Sequence, residues 1–186
     1  VFESVTEVDF TKGSPFLLKT DNGDEYSADT VLVTIGANPR ELNIPGEKQF
    51  VGRGVSYCAT CDGFFFRGKD ITVVGGGDSA LQEALFLTKF GKTVNVIHRR
   101  DDLRASVALQ SRALAHPKIN FTYSTIVEEI KGEASGGGPA IVKSITLKDL
   151  KTDKTYEKPT DGVFIFVGYD PNSWLFKDQL TLSGDQ

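Results

Sequence analysis

Cys58 and Cys61 are the only cysteines in the chain, and they stand as C-x-x-C in the run CATCD. A pair at this spacing can close a small ring and alternate between dithiol and disulfide, and such motifs often depress one thiol pKa. Asp62 follows at once, a carboxyl placed to give or take a proton during exchange; its plainer reading is a loop aspartate that caps a turn or faces water. Zinc is the rival chemistry. The only two histidines, His98 and His116, lie 18 residues apart, whereas structural zinc histidines stand roughly three to five apart or a second C-x-x-C appears. A pair of inert buried thiols is the other alternative. The pattern favours redox exchange, and no metal site is expected.

A second constellation follows. Gly75-Gly76-Gly77-Asp78-Ser79-Ala80 fits G-x-G-x-x-A directly after the apolar run DITVV and at the start of a helical pattern. That context is what a dinucleotide fingerprint requires. Gly75 allows the tight turn, Gly77 lets a pyrophosphate approach the backbone, and Ala80 lets helix and strand pack closely. Free amides of the helix N-terminus would meet the anion, with Asp78 expected as the N-cap. A glycine-rich turn without a ligand is the alternative.

The end of the next strand selects the nucleotide. An NAD site places Asp or Glu about 20 residues on, to bond the ribose 2′-hydroxyl. Here the position 23 residues after Gly75 opens His98-Arg99-Arg100, with Arg104 one helical turn beyond. Guanidiniums hold a 2′-phosphate by charge-assisted, often bidentate bonds, so NADPH is expected. The alternative is a solvated charged turn balanced by Asp101 and Asp102. A nicotinamide gives up a hydride and a disulfide accepts two electrons with protons, and a flavin ordinarily stands between them. The residues therefore point to a flavoprotein disulfide reductase, although no flavin site is visible among them.

These groups need a scaffold. The 186 residues, 39% apolar and 25% charged, are ordinary for a globular protein. A net charge of −4 gives no basic field for nucleic acid, and no apolar run can span a membrane. The opening VFESVTEVDF does not read as a signal peptide, and a cytoplasmic location is expected. The chain contains no methionine, which reads as an internal piece of a longer protein. SVTEVDF and PFLLKTDNGDEYSAD read as antiparallel strands turning at DNGD. TVLVTIGANP reads as a buried strand entering a turn, and residues 40–53 as a connector. From Asp70 the pattern is strand, helix over 78–91 with Gly91 as C-cap, strand KTVNVIHRR, and helix over 101–116 capped by Asp101 or Asp102. Phe64-Phe65-Phe66 reads as core packing. INFTYSTIVEEIKG, AIVKSITLKDL, KTYEKPT and GVFIFVG complete the chain as strands, with GEASGGGP as a mobile loop.

Taken together, CATCDG, VVGGGDSA, HRRDDLRA and GVFIFVGYDPN, in this order and spacing, resemble the low-molecular-weight thioredoxin reductases over about residues 29–172. The resemblance implies FAD and NADPH as cofactors, thioredoxin as protein substrate, and a homodimer of the full-length protein. It implies an α/β fold: a Rossmann-like three-layer NADPH-binding domain with a β-meander over residues 38–168. Partial strands of an FAD-binding domain, 1–37 and 169–186, would flank it. Segments 38–40 and 168–171 would then be hinges.

Carried over by position, Cys61 would face the flavin and Cys58 would attack thioredoxin, with Asp62 as acid–base group. Gly75, Gly76, Gly77, Asp78, Ser79 and Ala80 would form the pyrophosphate turn, and His98, Arg99, Arg100 and Arg104 would bind the 2′-phosphate. Gly36 would touch FAD, although the family's Ala-Thr-Gly reads Thr34-Ile35-Gly36 here. The family's own G-x-G-x-x-G for FAD and its closing flavin-side segment are not found in these residues. This chain alone is therefore expected to bind NADPH without holding FAD tightly or reducing thioredoxin. A related reductase serving a peroxidase-linked or other dithiol acceptor is the alternative, and Ala59-Thr60 between the cysteines favours thioredoxin. A regulatory nucleotide-binding module without catalysis would leave Asp62 unexplained.

Overall fold

The computed structural model describes residues 3–134 and 137–182. They fall into two units, residues 1–38 with 169–186, and residues 39–168. In the first unit the alternating segments form an antiparallel sheet of β1 (Val5–Asp9), β2 (Phe16–Thr20) and β3 (Glu25–Ala28), in that order. The DNGD turn joins β2 to β3, with Gly23 at φ 86° supplying the left-handed conformation the reversal needs. The buried strand expected in TVLVTIGANP does not form. Residues 30–36 have no strand partner among the described residues, and Leu32 is 87% exposed. An apolar run becomes a buried strand only where neighbours cover its edges and faces. Only β4 (Ala37–Pro39) pairs, with Tyr169–Pro171.

The second unit is built on parallel strands, most of them buried along nearly their whole length. They are β5 (Val55–Ser56), β6 (Asp70–Val74), β7 (Thr93–Ile97), β8 (Ile119–Thr122) and β12 (Gly162–Ile165). These form a parallel sheet in the order β5-β12-β6-β7-β8. Between them run α1 (Ala59–Asp62), α2 (Asp78–Leu87) and α3 (Val107–Leu114). β9 (Thr125–Glu133), β10 (Ile141–Asp149) and β11 (Thr155–Pro159) form an antiparallel meander.

Side chains alternate across a strand, and this alternation splits the core in two. Ile71, Val73, Val94, Val96 and Phe164 pack with Leu81, Ala84 and Leu87 of α2 and Ala113 of α3. Val74, Ile97, Val163 and Ile165 pack with Val127, Ile130, Val142, Ile145 and Leu147 of the meander. Helices, parallel sheet and meander are thus three layers. Among the described residues no helix is long and apolar enough to cross a membrane.

Several expected boundaries move. INFTYSTIVEEIKG is two strands, broken at Ser124, whose φ of 48° turns the chain from the parallel sheet into the meander. α2 ends at Leu87 under Thr88, whose hydroxyl bonds the Leu85 carbonyl at 2.6 Å, rather than running to Gly91. α3 starts only at Val107 behind Ser106, because the Asp101 carboxylate is taken by the Ser124 hydroxyl and Lys151. Of the three phenylalanines only Phe66 enters the core, edge-on to Phe164 at 5.0 Å; Phe64 and Phe65 are 60% and 68% exposed. They lie on a 3₁₀ turn over Gly63–Phe66, where residues three apart share a face, so Gly63 and Phe66 are buried together. Of the GEASGGGP segment, Gly132 and Glu133 belong to β9, while Ser135 and Gly136 lie outside the described residues.

Phe164 is fully buried at the sheet centre. Phe164→Ala is expected to cost about 3–5 kcal/mol, read as a lowered urea midpoint; a loss below about 1 kcal/mol would show that the helix-side core collapses around the gap.

Candidate functional site

The chain leaves β6 into a turn whose first two positions leave no room for a side chain. Gly75 has φ 147°, and a Cβ there would come within 2.3 Å of the Phe166 carbonyl. A Cβ on Gly76 would fall 2.3 Å from Nδ1 of His98, so the second glycine is required by the imidazole packed on it. α2 then begins at Asp78 with Gly77 at the cap position. Asp78 is not the N-cap expected from sequence: its Oδ1 accepts the amide of Ser106 at 2.6 Å. The helix amides are left facing outward from the turn.

Residues 104–106 are clamped onto this turn. The Gly76 carbonyl accepts the amides of Arg104 at 2.7 Å and Ala105 at 3.1 Å. The clamp brings the basic cluster to the glycine turn. Together they line one cleft of about 750 Å³, with Gly75, Gly76, Gly77, Asp78, Ser79 and Ala80 on one side and His98, Arg99, Arg100 and Arg104 beside them. Leu42 and Ile44 add to its apolar lining, and Arg40 adds a further cation. None of these three was signalled by sequence. They sit in a stretch of connector composition, where residue 40 stands out only as part of a hinge segment.

His98 differs from the arginines. It is 7% exposed, and its Nε2 donates to the Asp102 carbonyl at 3.1 Å. Burial holds its pKa below the ordinary 6.5, aided by Arg100, Arg99 and Arg104 and opposed by the Asp102 bond. The ring is neutral at pH 7 and shapes the turn, while Arg99, Arg100 and Arg104 are exposed and carry the positive charge.

The cysteines form a separate site between β5 and α1. Cys58 and Cys61 are joined by a disulfide, with their Cα atoms 5.3 Å apart. The Cys58 Sγ accepts the amide of Cys61 at 3.2 Å and lies 3.4 Å from the Thr60 hydroxyl. Both are donors suited to a thiolate on Cys58. Asp62 is held by Ser56, whose hydroxyl donates to Oδ2 at 2.6 Å and in turn accepts the Cys58 amide at 3.0 Å. Ser56 had no sequence signal, since a buried serine at a strand end is usually structural. A smaller cleft of about 240 Å³ reaches Ser56 and Asp62. None of residues 56–62 lines the large cleft. Gly36 lies in the other unit, in a turn at φ 66°, with its carbonyl accepting the Asn172 amide at 3.1 Å. Among the described residues there is no group of three or more His, Cys, Asp or Glu that could hold a metal ion.

The depressed pKa of His98 has a consequence for stability. As pH falls below about 6.5 the unfolded chain takes up a proton at this ring before the folded chain does. Stability is therefore expected to fall with acidification from about pH 6.5, and less steeply in His98→Gln. Identical pH slopes by urea unfolding would show that the ring titrates alike in both states.

The family model for pyridine nucleotide-disulphide oxidoreductases matches residues 1–186. A thioredoxin reductase of Streptomyces clavuligerus is 48% identical over 183 residues, covering 98% of this chain and 55% of that protein. A thioredoxin reductase of Coxiella burnetii is 43% identical over 185 residues, covering 98% of this chain and 56% of that protein. The solved thioredoxin reductase of Lactococcus lactis superposes with a TM-score of 0.84 at 42% identity, over 96% of this chain and 57% of that one. The chain thus spans little more than half the length of these relatives. With a family match along its whole length and relatives at this identity, the chain belongs to the pyridine nucleotide-disulphide oxidoreductase family, among the thioredoxin reductases.

Proposed function

We propose that residues 39–168 form the NADPH-binding and redox-disulfide unit of an FAD-dependent thioredoxin reductase, and that residues 1–38 and 169–186 belong to its FAD-binding domain. The observation that carries this reading is the clamp of Arg104 and Ala105 onto Gly76, which puts three guanidiniums beside a phosphate-type turn in one cleft. Arg99, Arg100 and Arg104 hold the 2′-phosphate, and the free amides at the start of α2 hold the pyrophosphate. His98 keeps the turn in shape. FAD, when bound, supplies the two-electron relay between nicotinamide and disulfide; of these residues only Gly36 is assigned to it.

The exchange with thioredoxin then runs on this chain's own groups. In the dithiol state Cys58, stabilised as thiolate by the Cys61 amide and the Thr60 hydroxyl, attacks one sulfur of the thioredoxin disulfide. The thioredoxin S–S bond breaks, a mixed disulfide forms, and the other thioredoxin sulfur leaves as thiolate. Cys61, deprotonated with Asp62 as base, attacks Cys58, restores the Cys58–Cys61 bond and releases reduced thioredoxin. Ser56 fixes the carboxyl that handles the proton. Phe64 and Phe65, exposed next to the pair, offer an apolar face for a protein substrate. The full-length enzyme is a cytoplasmic homodimer on this reading, and nucleic acid has no part in it.

Binding of NADPH and NADH to the chain and to Arg99→Ala/Arg100→Ala tests the reading. Loss of the two guanidiniums is expected to weaken NADPH by about 2–4 kcal/mol, as charged hydrogen bonds warrant, and to leave NADH unchanged. Equal affinity for both nucleotides in both proteins would refute it.

A further inference from the structure

Glu47 has no exposed surface (0%), although it is a carboxylate in a connecting loop. A buried carboxylate persists only where donors replace its water, and Glu47 has four. Its Oε1 accepts the Leu42 amide at 2.9 Å and the Tyr57 hydroxyl at 2.8 Å; its Oε2 accepts the amides of Asn43 at 2.7 Å and Ile44 at 3.4 Å. Three successive amides aimed at one carboxylate bend the loop tightly, with Asn43 in the left-handed region at φ 57°.

The two ends of this arrangement lie at different sites. Leu42 and Ile44 form part of the apolar lining of the large cleft. Tyr57 does not line that cleft; it directly precedes Cys58. All three side chains also pack on the meander-side core. Burial raises the Tyr57 phenol above its ordinary value of 10.0, and the bond to Glu47 and the charges of Glu47 and Glu41 push it further. It therefore remains a donor at any physiological pH.

We propose that Glu47, through Tyr57, is a positioning residue that locks the Leu42–Ile44 wall of the nucleotide cleft to the segment carrying Cys58. One buried carboxylate then sets both the affinity of the cleft and the redox equilibrium of the disulfide. The first half rests on the nucleotide reading above; the second does not. A purely structural role would change stability and leave both constants alone.

The discriminating variant is Tyr57→Phe, which keeps the ring and removes one donor from Oε1. Its NADPH dissociation constant is expected to rise about 3- to 10-fold, the range that one net hydrogen bond supports. The equilibrium constant of Cys58–Cys61 with a glutathione buffer is expected to change about 3-fold or more. Glu47→Gln, which points a donor at other donors, is expected to shift both further in the same directions where it folds. Tyr26→Phe, which loses only a bond to Glu3 in the other unit, serves as the control with both constants unchanged. A folded Tyr57→Phe with both constants at the wild-type value, or with only one of them moved, overturns the proposal. If the wild type binds no NADPH, the nucleotide reading falls, and the glutathione equilibrium alone decides whether Glu47 positions the disulfide.

Discussion

The Gly76 carbonyl accepts two amides from the segment that follows β7, and the space where its Cβ would stand holds the His98 imidazole. Everything the cleft can recognise depends on this contact. A strand–turn–helix alone offers amides to any phosphate, and an exposed run of arginines alone is a solvated surface. Joined through Gly76, they line one cleft together, and on the proposed reading the amides and guanidiniums meet two anionic groups of one ligand. His98 serves the joint by being neutral. A charged ring packed against the turn would need further solvation, and its burial opposes that charge. The arginines, being exposed, keep theirs without a desolvation cost.

The disulfide segment follows a similar logic on a smaller scale. Ser56 at the end of β5 accepts the Cys58 amide and donates to Asp62, so one hydroxyl orients both the redox pair and its carboxyl. Glu47 joins Tyr57, the residue before Cys58, to the loop that lines the large cleft. A four-residue helix such as α1 has little intrinsic stability; it is held by the Ser56 bonds to the Cys58 amide and Asp62 and by Ala59 buried in the helix-side core.

The parts of this architecture that were readable in the sequence are those that repeat a physical period. DITVV and TVNVI must be buried on both faces, and the residues between them recur at helical spacing, so β6, α2, β7 and the glycine turn were plain. The same hydrophobicity misleads in TVLVTIGANP, since a run of apolar residues does not say which strand covers it. Asp78, Asp101 and Asp102 resemble caps because capping is local. Asp78 and Asp101 are instead claimed by Ser106, Ser124 and Lys151, partners far along the chain. Glu47 could not be read at all. Three of its four donors are backbone amides, which carry no residue identity.

The cleft and the disulfide belong to one unit yet share no lining residue. Hydride transfer requires the reacting atoms within about 3–3.5 Å. On the proposed reading, a nicotinamide nucleotide lies along Gly75–Ala80 and the arginine cluster, in a cleft that neither cysteine lines. On the proposed reading, the division of labour follows from this separation. The unit binds the electron donor and exposes the electron acceptor at different places, so a relay must serve each in turn. What the unit contributes on this reading is the fixed relation between the two sites: the parallel sheet joins β5 through β12 to β6, and the Glu47–Tyr57 bond adds a second link through the loop that lines the cleft.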